Sequence, residues 1–115
     1  MVDTLQKHRA KKRPFLPDRT RAIVARLEAH THELRKRGVT SLALFGSRAR
    51  GDERKDSDLD VLIDYDRTRR FTLYDLVEIK RYLSDIVGLE AHVVTRDGFG
   101  SDRLRRLLKH AVDVF

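Results

Sequence analysis

Apolar residues recur along the chain at two spacings, and the two spacings predict different kinds of secondary structure. Apolar positions three or four residues apart, the spacing of a helix face, occur in residues 18–37, 71–87 and 102–111. Short apolar or alternating runs, typical of strands, occupy residues 40–45, 58–65 and 89–95. The order helix, strand, turn, strand, helix, strand, helix predicts an α/β (α+β) domain, with a small three-stranded mixed twisted sheet covered by helices.

The strand predicted at residues 58–65 carries two carboxylates on one face. Alternation places Asp58, Asp60 and Leu62 on one side of the strand and three branched apolar residues on the other. Neighbours on one side lie about 7 Å apart, so the two carboxylates repel each other unless a cation lies between them. Their hard oxygen ligands suit Mg²⁺ or Mn²⁺. Asp64 shares this face but lies farther along the strand, where we expect a surface role.

A second feature is the pair Gly46-Ser47, which ends the apolar strand predicted at residues 40–45. A strand that turns sharply there into one helical turn exposes several backbone N–H groups, which bind phosphate. Gly46 lets the phosphate approach the backbone, and the Ser47 hydroxyl can donate a further bond. Arg48 and Arg50 follow, and they either hold phosphate charge or lie in a solvated turn. Phosphate, carboxylates and a divalent cation together describe nucleotidyl or phosphoryl transfer.

The length and composition predict one domain with a tail. A chain of 115 residues is long enough for one hydrophobic core. We expect a basic flexible tail over residues 1–17, which holds both prolines, and a folded domain over residues 18–115. The absence of cysteine excludes disulfides and thiolate metal sites. No apolar run approaches the roughly 20 residues that cross a bilayer, so we expect a cytoplasmic protein.

The net charge of +7 is concentrated near the start of the chain. Residues 1–37 hold eleven Lys and Arg against four acidic residues, a difference of +7, whereas residues 38–115 hold fourteen of each. Such a basic arm either contacts nucleic acid, nucleotide phosphates or an acidic partner, or is a solvated tail on a charged helix. The absence of interleaved aromatic residues favours the solvated tail.

The chain resembles a known family over residues 19–115. Its motif, which is Gly46-Ser47, ten further residues and then Asp58-Leu59-Asp60, resembles the signature of the DNA polymerase β-like nucleotidyltransferase superfamily. The phrase SLALFGSRARGDERKDSDLDVLIDY, the chain length and the element order resemble its minimal nucleotidyltransferase (MNT) branch. The resemblance implies a nucleotidyltransferase-like fold.

The resemblance also implies an activity, cofactors and a partner. In the family, the Gly-Ser turn holds the nucleoside triphosphate, and the aspartates that match Asp58 and Asp60 ligate metal ions. Members are commonly antitoxins paired with HEPN-domain toxins, and such an antitoxin can transfer AMP from ATP to a tyrosine of the toxin. The nucleotide-binding residues expected on this basis are Gly46, Ser47, Arg48 and Arg50.

One position departs from the family pattern. His92 stands on the last predicted strand where the family usually has a third aspartate, which would ligate the catalytic metal and help to deprotonate the attacking hydroxyl. His92 is either a tolerated replacement in a degenerate site or a base in its own right. Alternatively Glu90, on the same strand face, takes over as the third metal ligand together with Asp58 and Asp60. Losing a positioned base costs typically 10²–10⁴-fold in rate.

The leading hypothesis is therefore an MNT-type nucleotidyltransferase that binds ATP with Mg²⁺ or Mn²⁺ and transfers AMP to a hydroxyl of a HEPN toxin. The catalytic residues expected are Asp58, Asp60 and His92. Two alternatives stay open: an antitoxin without turnover that acts by stoichiometric binding of its toxin, and a nucleic-acid-binding module that uses the basic arm.

Overall fold

The computed structural model describes residues 15–115, which form five α-helices, one 3₁₀ turn and four strands. In chain order, the elements are α1 (Asp18–Glu28), α2 (Thr31–Lys36), β1 (Val39–Phe45), α3 (Gly46–Arg50), β2 (Leu59–Tyr65), α4 (Leu73–Val87), β3 (Ala91–Thr95), a 3₁₀ turn (Arg96–Gly98), α5 (Ser101–Leu108) and β4 (Val112–Asp113). Residues 1–14 lie outside the described part, so the predicted tail over residues 1–17 stays a prediction. No helix within the described range is long and apolar enough to cross a membrane.

The strands form one mixed sheet in the order β3-β2-β1-β4. Strand β1 is antiparallel to both β2 and β4, whereas β2 and β3 are parallel. The predicted fold class is confirmed, but the sheet has four strands rather than three. Strand β4 contributes only two residues, Val112 and Asp113, which pair with Leu44 and Ala43. A strand of two residues is too short to show any periodicity, and the closing helix predicted to reach residue 111 ends at Leu108.

One face of the sheet packs against helices and forms the hydrophobic core. Its residues from the strands and from α1, α2 and α4 include Leu42, Leu44, Val61, Ile63, Val93, Val24, Leu27, Leu34, Ile79 and Leu83. Most are at most 2% exposed. Because strand neighbours alternate between faces, this packing turns Asp60 toward the opposite face.

The first predicted helix is two helices, not one continuous helix over residues 18–37. The break lies at Ala29 and His30, and His30 leaves the helical conformation with φ −105° and ψ 13°. The His30 ring hydrogen-bonds the Tyr82 hydroxyl of α4 at 2.9 Å. The short α2 then places Leu34 in the core against β1.

Helix α4 begins two residues later than its apolar pattern predicts, because a capping box fixes its start at Thr72. The Asp75 backbone N–H donates to the Thr72 hydroxyl, and the Thr72 N–H donates to the Asp75 carboxylate at 2.7 Å. The Thr72 N–H and the Thr72 hydroxyl both donate to this carboxylate, and they hold the pKa of Asp75 below its usual range. The start of α4 is thereby set by polar contacts.

Candidate active site

Three side chains lie in a row across one end of the sheet, on the face opposite the main hydrophobic core. The strand register pairs Phe45 of β1 with Asp60 of β2, and Asp60 with His92 of β3. Directly paired residues point to the same face, so the three side chains lie side by side. In the next row, Ala43 is covered by Leu108 and Ala111. The chain that follows β3 thus covers the middle of this face.

The Asp60 carboxylate lies between the Gly46 turn and His92. Its Oδ1 lies 3.3 Å from Nδ1 of His92, within hydrogen-bonding distance. On the other side, a Cβ added to Gly46 would overlap Oδ2 of Asp60 and lie 3.1 Å from its Cγ. The Asp60 side chain is 27% exposed, so it is held by its surroundings while its oxygens stay accessible. The backbone at Gly46 must carry no side chain for Asp60 to lie where it does.

The Gly46-Ser47 turn has the conformation that its sequence predicts. Gly46 has φ +73°, a left-handed value that side chains rarely permit. Helix α3 begins directly there and ends at Arg50, and the next residue, Gly51, is also left-handed. The Ser47 carbonyl accepts the N–H groups of Gly51 and Asp52, whereas its hydroxyl has no hydrogen-bond partner among residues 15–115. The Ser47 hydroxyl is therefore without a partner among the described residues, next to the glycine that contacts Asp60.

Arg48 and Arg50 lie in different surroundings. Arg48 is 7% exposed, and its Nε and one terminal nitrogen donate to the Ser57 carbonyl at 3.0 and 2.9 Å. The backbone of Arg48 accepts the hydroxyl of the buried Thr20 at 2.7 Å, which joins α3 to α1. Arg50 donates to Asp52 at 3.2 Å and is exposed. Arg48 thus closes the loop that leads to β2, and the nucleotide-binding role predicted for both arginines stays a prediction.

The remaining predicted site residues are placed as follows. Asp58 is exposed and directly precedes β2, which begins at Leu59 rather than at Asp58. Glu90 is exposed and precedes β3 by one residue, and its carboxylate pairs with Lys80 at 3.3 Å. In the described part of the chain, no three side chains that could ligate a metal come together. The predicted ligand set of Asp58, Asp60 and Glu90 stays a prediction.

A polar cluster at the far end of β2 and β3 has no counterpart in the sequence predictions. The Tyr65 hydroxyl and Arg67 both donate to Asp97, at 2.7 and 3.0 Å, and the Thr95 hydroxyl donates to Asp97 at 2.6 Å. Chiefly through the Thr95 bond, these contacts hold the pKa of Asp97 below its usual range, while the bond to Asp97 raises the pKa of Tyr65. The cluster fixes the 3₁₀ turn after β3. Its members lie up to 32 residues apart, so no local pattern predicts it.

Comparison with known proteins identifies the class of protein. Residues 27–114 match the family model described as the nucleotidyltransferase domain. The match covers most of the chain, and it includes the Gly-Ser turn, Asp60 and His92. The chain belongs to this nucleotidyltransferase domain family.

Individual relatives identify the branch. Protein adenylyltransferase MntA of Thermococcus cleftensis is 35% identical over 89 residues, which are 76% of this chain and 88% of that protein. A solved structure described as a minimal nucleotidyltransferase is 31% identical, with a TM-score of 0.66 over 77% of this chain and 89% of that one. Within its family, the chain belongs to the minimal nucleotidyltransferase branch, which confirms the resemblance drawn from its motif.

A more distant structural neighbour shares the fold. It is a chain in the structure of a tri-AMPylated HEPN toxin of Shewanella oneidensis in complex with an MNT antitoxin. The identity is 11% and the TM-score is 0.58, over 84% of this chain and 71% of that one. At this identity the likeness establishes the fold alone.

Proposed function

We propose that this chain is an MNT-type protein adenylyltransferase, which acts as an antitoxin by transferring AMP from ATP to a tyrosine hydroxyl of a HEPN toxin. The observation that carries the proposal is the position of Asp60, held between a left-handed Gly-Ser turn and His92. Two findings support AMP as the transferred group and a HEPN toxin as the acceptor. The T. cleftensis relative is described as a protein adenylyltransferase, and the S. oneidensis complex contains an AMPylated HEPN toxin with an MNT antitoxin.

The donor set of the site fits a divalent cation. Mg²⁺ is usually held by one or two carboxylates together with substrate phosphates, and it keeps several waters. Asp60 presents a partly exposed carboxylate to the phosphate-binding turn, and Asp58 lies two residues earlier on the same chain. Such a site needs no third protein ligand. Bound there with the nucleotide, Mg²⁺ or Mn²⁺ would offset phosphate charge during transfer.

Different residues of the chain bind the nucleotide phosphates and face the acceptor hydroxyl. The Gly46-Ser47 backbone and the Ser47 hydroxyl bind the phosphates that leave as pyrophosphate. Asp60 lies beside the reacting phosphorus, and His92 faces the acceptor side. Of the two candidates for the missing third acid, the geometry favours His92. It contacts Asp60, whereas the Glu90 carboxylate is paired with Lys80.

The direct test uses ATP labelled in the α-phosphate, the purified chain and the HEPN toxin encoded beside it. We expect divalent-cation-dependent labelling of the toxin and simultaneous loss of toxicity. The control is the double variant Asp58→Asn/Asp60→Asn, which should label nothing. Neutralisation without label that survives this double substitution would contradict the enzyme and support an antitoxin that acts by binding alone. Nucleic-acid binding by the basic arm stays a prediction, since residues 1–14 lie outside the described part.

Replacing His92 with aspartate is expected to increase AMP transfer with Mg²⁺ by about tenfold or more, since a positioned base contributes 10²–10⁴-fold. The register places residue 92 directly opposite Asp60, so the new carboxylate would reach the same cation. The wild type should in turn work better with Mn²⁺ than with Mg²⁺, because imidazole is a poor ligand for Mg²⁺.

Initial rates at matched metal concentrations check this expectation. Glu90→Gln is the control, and it should leave the rate unchanged because Glu90 pairs with Lys80. A slower His92→Asp variant would show that the imidazole itself is needed. Loss of activity in Glu90→Gln alone would show that Glu90 supplies the third carboxylate.

A further inference from the structure

A groove of about 750 Å³ opens along the edge strand β3, between the sheet and α5. Its walls include His92 and Val94 of β3, Phe99 after the 3₁₀ turn, and Arg103 and Arg106 of α5. This volume lies in the range of known ligand sites, about 300–1,000 Å³. Because His92 lines the groove and contacts Asp60, the groove is continuous with the candidate active site.

The groove carries two cations that have no acidic partner among residues 15–115. Arg103 and Arg106 are three residues apart on α5, so they share the face that lines the groove. No carboxylate in residues 15–115 lies within ion-pair distance of either guanidinium, whereas Arg105 of the same helix pairs with Asp102 at 3.5 Å. The Arg103 guanidinium lies over the Phe99 ring, 5.2 Å from its centroid. Planar cations held in this way suit carboxylates of a ligand.

The two oxygens of Asp60 distinguish the two sides of the site. Oδ2 faces Gly46, where the nucleotide phosphates are proposed to bind, and Oδ1 faces His92 at the edge strand. In phosphoryl-type transfer, the attacking and leaving oxygens lie roughly in line on opposite sides of the phosphorus. If pyrophosphate leaves toward the Gly46 turn, the acceptor hydroxyl must approach from the side of His92. That is the side on which the groove opens.

We propose that this groove receives the acceptor segment of the protein substrate, and that Arg103 and Arg106 bind acidic side chains that flank the acceptor hydroxyl. This inference rests on the proposed function. The acceptor oxygen forms a bond to the α-phosphorus of ATP while the bond from that phosphorus to the β-phosphate oxygen breaks. Pyrophosphate leaves, and the hydroxyl proton passes to water. The apolar walls at Val94 and Phe99 contact the acceptor residue itself.

The test uses a fluorescent peptide with a central tyrosine and two glutamates on each side, and the same peptide with glutamines. Anisotropy should show that the wild-type chain with bound ATP analogue prefers the glutamate peptide by about tenfold, the effect of two solvent-exposed charge contacts. The double variant Arg103→Ala/Arg106→Ala should lose this preference, and Arg103→Lys/Arg106→Lys should recover part of it. The matched control Arg105→Ala should keep it, because Arg105 pairs with Asp102. ATP affinity should stay within twofold throughout.

The outcomes separate this inference from the proposed function. Equal binding of the two peptides by the wild type, or an unchanged preference in the double variant, would overturn the inference. A double variant that loses ATP affinity instead would show that the groove holds the nucleotide. Absence of AMP transfer by the wild type would refute the proposed function, and the peptide preference would still decide what the groove binds.

Discussion

Replacing Asp60 with asparagine is expected to lower AMP transfer at least about 100-fold while leaving the fold intact. Asparagine has the same shape, so it fits beside Gly46 and keeps its distance from His92. It removes the negative charge that would hold a cation at the phosphates. Losing one preorganised electrostatic contact in an active site costs about 10²–10³-fold in rate. Initial rates with labelled ATP, measured at saturating metal, check the value.

Asp64→Asn is the matched control for this substitution. Asp64 lies on the same strand and the same face as Asp60, but its carboxylate pairs with Arg67 at 2.7 Å and accepts the Tyr65 N–H. We expect its variant to transfer AMP normally. Both variants should melt within a few degrees of the wild type. A transfer rate near normal in Asp60→Asn would show that Asp60 is not part of the catalytic site.

The strands that carry the site could be predicted from the sequence because each has a regular pattern with a chemical consequence. Alternation along β2 put Asp60 on the face opposite the core, and the structure confirms that Val61 and Ile63 are buried on the core side. The spacing of the apolar residues likewise predicted β1 and β3. The contact between Asp60 and His92 depends on the parallel pairing of β2 with β3, which no periodic pattern within either strand predicts.

Other features depend on contacts between distant residues, which no local pattern encodes. Arg48 follows the Gly-Ser pair, so its position in the sequence suggested phosphate binding. That role stays a prediction, but no local pattern predicts that its guanidinium donates to the Ser57 carbonyl, nine residues later, and is almost fully buried. At the break between α1 and α2, the His30 ring hydrogen-bonds Tyr82, 52 residues away. The apolar pattern does not reveal this break, because Leu34 after it is buried in the core as Val24 and Leu27 are before it.

Replacing Gly46 with alanine is expected to abolish AMP transfer, because the new methyl group would occupy the space of the Asp60 carboxylate. Gly46 has φ +73°, and its Cβ would overlap Oδ2 of Asp60. The backbone strain alone costs about 1–2 kcal/mol, since L-residues disfavour this conformation. The displacement of Asp60 adds a loss of function that strain does not explain.

Gly88→Ala separates these two effects. Gly88 has nearly the same conformation, φ +70°, but a Cβ there would meet no atom within 4 Å. It lies at the end of α4, away from the row formed by Phe45, Asp60 and His92. We therefore expect both variants to lose a similar part of the free energy of unfolding to strain, measured by urea denaturation, and only Gly46→Ala to lose transfer. Ser47→Ala should weaken ATP binding by about 1 kcal/mol, the value of one hydrogen bond. If Gly88→Ala and Gly46→Ala lost transfer equally, the loss would come from destabilisation, and the close approach of Gly46 to Asp60 would have no catalytic role.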